Sequence, residues 1–305
     1  MKRDRLIGIL MIAAAAFCWG ASATVGKLVF GGILRGSTVP ITPLILAQTR
    51  TTFSFVILAP LLLLSGNRSF FHAGAKSLIG ALVVGALGVS GSNFFYYFAI
   101  QKTSVGTAIV LQYLAPVWVL LYMVARRQQH ATLSRVLGVA LAVAGIALVI
   151  GIGGNAPIHT NTLGMAAAIC AGLCFAFYNV GGGELTKRLP ALTVMLYAML
   201  GSALLWAVVH PWWVLLATPF TRAQWVFLVA FSIGSMLLPY LLYFKGLSHL
   251  DATTAIVTSC LEPVFAIALA AIFAGEHIAP LQGVGMALVI AATVLIQRRE
   301  VPATV

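Results

Sequence analysis

The sequence predicts an all-α membrane protein of ten transmembrane helices, arranged as two inverted five-helix repeats. Three observations carry this reading. Of 305 residues, 61% are hydrophobic and only 8% are charged, against roughly 25% charged in an ordinary soluble domain. Glycines, prolines and charges cut the chain into ten apolar runs, each close to the roughly 20 residues a helix needs to cross a bilayer. The third observation is a repeat. Residues 96 to 129, YYFAIQKTSVGTAIVLQYLAPVWVLLYMVARRQQ, align without a gap on residues 243 to 276, YFKGLSHLDATTAIVTSCLEPVFAIALAAIFAGE, after a shift of 147.

The repeat organises the chain and comes before any local reading. Thr-Ala-Ile-Val recurs at Thr107 and Thr254, and in both copies a proline follows nine residues later, Pro116 and Pro263. Proline inside an apolar helix costs stability, so its return predicts a shared bend. The same shift lays Gly138 on Gly285 and Pro43 on Pro190, while a shift of 156 lays Gly8 on Gly164, Cys18 on Cys174 and Trp19 on Phe175. The two registers differ because the first half has a longer loop around residues 31 to 42. The domains are therefore 1–153 and 154–305, and an odd number of spans in each makes the second enter the membrane with opposite polarity.

The spans lie near 6–28, 43–65, 77–99, 104–125, 133–152, 162–183, 191–213, 224–245, 252–274 and 280–297. Span 1 begins like a signal peptide, with Lys2, Arg3 and Arg5, an apolar run and Ala21-Ser22-Ala23. Its repeat at residues 164 to 182 lies in mid-chain, where no signal peptide can be, so it reads as a span. It carries Trp19, Gly20, Ser22 and Thr24, and its partner, span 6, carries Tyr178 and Asn179. Polar groups at that depth face protein or water. Small ones also serve helix packing, whereas Trp19 and Tyr178 have the bulk to line a solute.

Span 2 places Arg50 about two turns into the membrane, where insertion scales charge an arginine about 2.5–3.5 kcal/mol; it needs an anion, carbonyls or water, or a snorkelling route to the surface. Span 3 brings Asn93, Tyr96 and Tyr97, and span 8 brings Tyr240 and Tyr243. Inversion puts the first cluster in the outer half and the second in the inner half, as gates or as interfacial tyrosines. Span 4 has Gln112 and Tyr113 ahead of Pro116; span 9 has Ser259 and Glu262 beside Pro263. Glu262 alone among the acids falls near the centre of a span. An unpaired carboxylate there is neutralised, so it is protonated or paired with Arg50. Spans 5 and 10, with Gly138, Ala142 and Gly145 in one and Gly283, Ala287 and Ala291 in the other, read as scaffold whose small residues permit close packing.

The net charge of +12 is distributed as an orientation signal. With the N-terminus inside, thirteen lysines and arginines fall on cytoplasmic segments and four, Lys27, Arg35, Lys102 and Arg222, outside. This is the positive-inside pattern. It places both termini in the cytoplasm and argues against a nucleic-acid partner. Trp212, Trp213 and Trp225 then form an outer aromatic belt. Cys18, Cys170, Cys174 and Cys260 lie within spans and read as packing residues rather than a metal or redox site.

At the Trp19-Gly20 pair, Arg50 after Pro43, the Thr107 to Pro116 segment, Glu262-Pro263 and Gly275-Glu276, the sequence resembles the EamA branch of the drug/metabolite transporter superfamily. The first repeat departs from the pattern, ending in Gln128-Gln129. The resemblance implies ten helices, a central cavity between the repeats and export of metabolites such as amino acids. The expectation is a secondary active transporter of the inner (cytoplasmic) membrane, working by alternating access and driven by proton antiport or exchange. No cofactor or metal is expected, and the partners are a small solute, the lipid bilayer and at most a weak homodimer. The rivals are a channel or receptor and, more remotely, an intramembrane serine protease. Gly88-Val89-Ser90-Gly91 matches the GxSG of rhomboid-type proteases, but the histidines all lie at span ends or in loops. No HExxH or phosphate loop is present.

Overall fold

A computed structural model describes residues 2–30, 39–65, 70, 74–103, 105–149, 161–274 and 278–297, and among these there are helices and no strands. The apolar runs become α1 (Lys2–Phe30), α2 (Pro43–Leu64), α3 (Ala75–Lys102), α4 (Val105–Gln112 and Ala115–Ala125), α5 (Leu133–Val149), α6 (Thr162–Thr186), α7 (Ala191–Val209), α8 (Arg222–Leu247), α9 (Ala252–Ser259 and Leu261–Ala274) and α10 (Pro280–Gln297). A short helix, Trp212–Ala217, joins α7 to α8. Among the described residues, eight helices are long and apolar enough to cross a membrane, and α5 and α10 are shorter apolar helices. Gly145 meets Gly285 between them, where an added Cβ on either would approach the partner's backbone to 2.6–2.8 Å. Such a pair packs backbone against backbone.

Several helix starts are readable in the residues. Thr42 caps α2 with Pro43 in its first turn, Asn161 caps α6, Thr221 and Gln224 form a capping box on α8, and Asp251 caps α9. The breaks in α4 and α9 fall at Tyr113–Leu114 and Cys260, just ahead of Pro116 and Pro263. Tyr113 and Cys260 are 147 residues apart, so the repeated prolines interrupt both copies at one position. A second irregularity also comes twice. α3 widens into a π-helical turn at Val84–Val89 and α8 at Ile233–Leu237.

The packing crosses between the halves of the chain. α1 lies against α8 and α9, α6 lies against α3 and α4, α2 lies against α7 and α8, and α5 pairs with α10. Gly20 lets α1 come within contact of the α9 break: a Cβ there would sit 2.8 Å from the Glu262 carbonyl. Gly172 does the same for α6 on α4, with 2.7 Å to the Gln112 carbonyl. Each of these glycines therefore covers backbone exposed beside a proline break. Aliphatic side chains on the outer faces of the helices, such as Leu61, Leu64, Val208 and Ile272, are exposed, as a lipid-facing surface requires.

Candidate functional site

The polar residues of the membrane interior gather into two linked centres, one around Arg50 and one around Glu262. Arg50 on α2 is only 5% exposed. Its Nη1 donates to Asn93 Oδ1 at 3.1 Å and to the Tyr97 hydroxyl, and its Nη2 donates to the Ser235 carbonyl at 2.6 Å. The guanidinium also lies 5.6 Å from the Tyr97 ring centre and 5.5 Å from that of Phe231, cation–π distances that offset part of its desolvation. Pro239, four residues on, has no N–H to compete for the Ser235 carbonyl. Asn93 is held in turn, its Nδ2 donating to the Val89 carbonyl at 2.8 Å and to the Tyr240 hydroxyl at 3.3 Å.

Glu262 at the α9 break is half-buried and takes a 2.6 Å hydrogen bond from the Tyr113 hydroxyl, which also lies 3.4 Å from the Ser259 carbonyl. Pro263 leaves that carbonyl without its helical donor, as Pro239 does for Ser235. Gln112, one residue before Tyr113, donates to Ser92 Oγ on α3 at 3.3 Å. An aromatic group joins the centres. Trp19 meets Tyr240 and Tyr243 with ring centres 5.3 Å apart in both cases, Tyr178 stacks on Phe175 at 5.0 Å and approaches Tyr240 at 5.8 Å and Tyr243 at 5.9 Å, and Phe175 reaches Tyr113 at 6.0 Å. Asn179 donates to the Tyr243 hydroxyl and keeps a buried Oδ1 with no partner.

Most residues singled out from the sequence therefore meet: Trp19, Arg50, Asn93, Tyr97, Gln112, Tyr113, Tyr178, Asn179, Tyr240, Tyr243 and Glu262, contributed by α1, α2, α3, α4, α6, α8 and α9. Ser22 and Ser259 turn away. Their hydroxyls bond back to their own helices, at the Trp19 carbonyl (2.8 Å) and the Ile256 carbonyl (2.7 Å). The contacts bear on two questions left open by the sequence, whether Glu262 pairs with Arg50 and whether the tyrosines of α3 and α8 stay apart. Arg50 and Glu262 form no ion pair; the hydrogen bonds each makes are to neutral partners. Tyr240 is not segregated from the Tyr97 cluster, because Asn93 reaches its hydroxyl and holds it in the Arg50 centre. Tyr96 and Tyr97 do adjoin, with ring centres 5.6 Å apart.

The residues that sequence reasoning missed are Ser92, Phe231 and above all the Ser235 carbonyl. A proline four residues after a serine was the available signal, since it marks an unpaired carbonyl. The GxSG segment is a helix crossing: Ser90 hydrogen-bonds Ser202 on α7, and Gly88 lies beneath Tyr178. The Gly275-Glu276 end and the loop at 31 to 38 lie outside the described residues.

The profile of the EamA-like transporter family matches residues 6–151 and 162–298. Threonine/homoserine exporter RhtA of Escherichia coli (strain K12) is 27% identical over 292 residues, covering 94% of this chain and 89% of its own. The uncharacterized inner membrane transporter YicL of Salmonella typhimurium (strain LT2) is 23% identical over 296 residues, covering 95% and 94%. A solved crystal structure with 19% sequence identity superposes with a TM-score of 0.73 over 95% of this chain and 96% of that one, a likeness of fold.

Proposed function

Because the chain belongs to the EamA-like transporter family and is a multi-pass membrane transporter rather than an enzyme, we propose that it exports small metabolites, amino acids or similar solutes, by alternating access. In this reading two inverted five-helix repeats, 1–153 and 154–305, rock about the Arg50 and Glu262 centres. Proton antiport or exchange drives the cycle, with Glu262 as the proton-carrying group. The observation that carries the reading is convergence: seven helices from both halves bring one cation, one acid and a group of tyrosines together inside an apolar body. The crossed packing of α1 on α8 and α9, and of α6 on α3 and α4, is what inverted repeats produce when they interlock. The relative RhtA, a threonine/homoserine exporter by name, supports amino acids as the solute.

Orientation follows from charge, with both termini in the cytoplasm of an inner membrane. At that same end Gln129, after α4, ties the halves together. Its Nε2 donates to Asp251 Oδ1 at 3.2 Å and its Oε1 accepts from Thr253 at 2.6 Å. This contact serves as the inner closure beside Tyr243 and Asn179, while Tyr96 and Tyr97 approach the outer one. The test is a proteoliposome panel of amino acids, nucleosides, sugars and cationic drugs, with and without a pH gradient. Gradient-driven movement of an amino acid supports the reading. Movement of none of these, or passive downhill flux at channel rates, overturns it.

A further inference from the structure

We propose that Arg50 is the docking point for a single carboxylate of the transported solute, which deepens the functional reading above and rests on it. Every hydrogen-bond acceptor of Arg50 is neutral: an amide oxygen, a phenol and a backbone carbonyl. Its Nε is buried with no partner at all. A buried guanidinium that is fixed in orientation but not neutralised presents a ready fork to a planar anion. Glu262, the acid near the centre of a span, is already engaged by Tyr113 and forms no ion pair with Arg50.

The surroundings select the anion. The other described lysines and arginines lie at helix ends or in loops, so one positive charge is available, which matches a carboxylate and falls short of a phosphate dianion. Asn93, Tyr97 and the Ser235 carbonyl come from two different helices, and Pro239 keeps the carbonyl available by withholding its N–H. The cradle thus points the guanidinium without consuming its charge. The aromatic group of Trp19, Tyr178, Tyr240 and Tyr243 adjoins on the Asn93 side and leads toward Glu262, where a solute's ammonium end would lie.

Three related solutes separate these roles in purified, detergent-solubilised protein, with ligand-induced thermal stabilisation as the readout: L-threonine, 3-hydroxybutyrate, which has the carboxylate alone, and threoninol, which has the ammonium alone. The expected result is stabilisation by both carboxylates, with threoninol weaker than L-threonine by about 10–100-fold, the worth of a charge-assisted hydrogen bond. Arg50→Gln should remove that preference. Arg50→Lys, which keeps the charge but not the fork, should retain the preference at about 10-fold lower affinity, and it decides the matter if Arg50→Gln does not fold. Binding of 3-hydroxybutyrate without L-threonine leaves Arg50 as proposed and overturns the amino-acid reading. Threoninol binding as well as L-threonine, no binding by either carboxylate, competition by inorganic phosphate at equal strength, or an unchanged preference in Arg50→Gln or its loss in Arg50→Lys each overturns the proposal.

Discussion

Glu262 depends on one hydroxyl. Tyr113 is its hydrogen-bond donor, and a bond to a charged group is worth about 1.5–3 kcal/mol. Tyr113→Phe should therefore weaken pH-driven transport by about 10-fold or more, measured in proteoliposomes, while the protein stays monodisperse. Glu262→Gln keeps size and can still accept from Tyr113 but cannot titrate. It should abolish pH-driven transport and spare solute exchange; a variant that transports like the parent at every pH would leave the carboxylate with a structural role only. At this scale the sequence is legible where chemistry is expensive. A lone arginine and a lone acid within apolar runs announce themselves, and so do their tyrosines and asparagines. Which of them would bond was not legible, because Arg50 and Glu262 stand at similar depth and simple charge matching pairs them. The structure prefers neutral acceptors, one of them a backbone carbonyl whose availability depends on a residue four places away.

Helices α4 and α9 break beside prolines, and α8 carries Pro239 next to its π-helical turn. Replacing Pro239 by Ala supplies an N–H to the Ser235 carbonyl and lets α8 reclaim it from Arg50. The variant should fold at least as well and transport about 10-fold less, and unchanged transport would show that this carbonyl does not orient the guanidinium. Gly20→Val forces a side chain against the Glu262 carbonyl, 2.8 Å from the new Cβ. Overpacking of this kind costs about 1–3 kcal/mol and should appear as a lower unfolding temperature of the purified protein, together with lost transport. The repeated prolines predicted bends, and the breaks at Tyr113–Leu114 and Cys260 are those bends. The π-helical turns were not readable: one extra residue per turn rotates a helix that is apolar on all sides, and no hydrophobic pattern records the change. The expected span 280–297 coincides with α10, and α5 is described over Leu133–Val149 of the expected 133–152.

For the molecule as a whole, charge asymmetry is the guide to orientation. Single cysteines at Ser37 and Asn161, introduced with the native cysteines replaced, should label from outside and one at Ser69 should not; Ser37 and Ser69 lie outside the described residues. The reverse pattern would invert the assignment of every closure. Fold class was the most legible property of the chain, because composition and a gapless repeat both survive ignorance of side-chain detail. The interlocking of the halves was less so, since helix partners separated by more than a hundred residues leave no local mark. One consequence of that interlocking is electrical. Arg50 belongs to the first half and Glu262 to the second, and no bond joins them. If the halves rock as proposed, the Arg50 charge, and that of Glu262 whenever it is ionised, would move independently through the membrane's field. A full charge crossing 100 mV is worth about 2.3 kcal/mol, so even a fractional displacement turns the conformational change into a transient current whose size and sign depend on voltage.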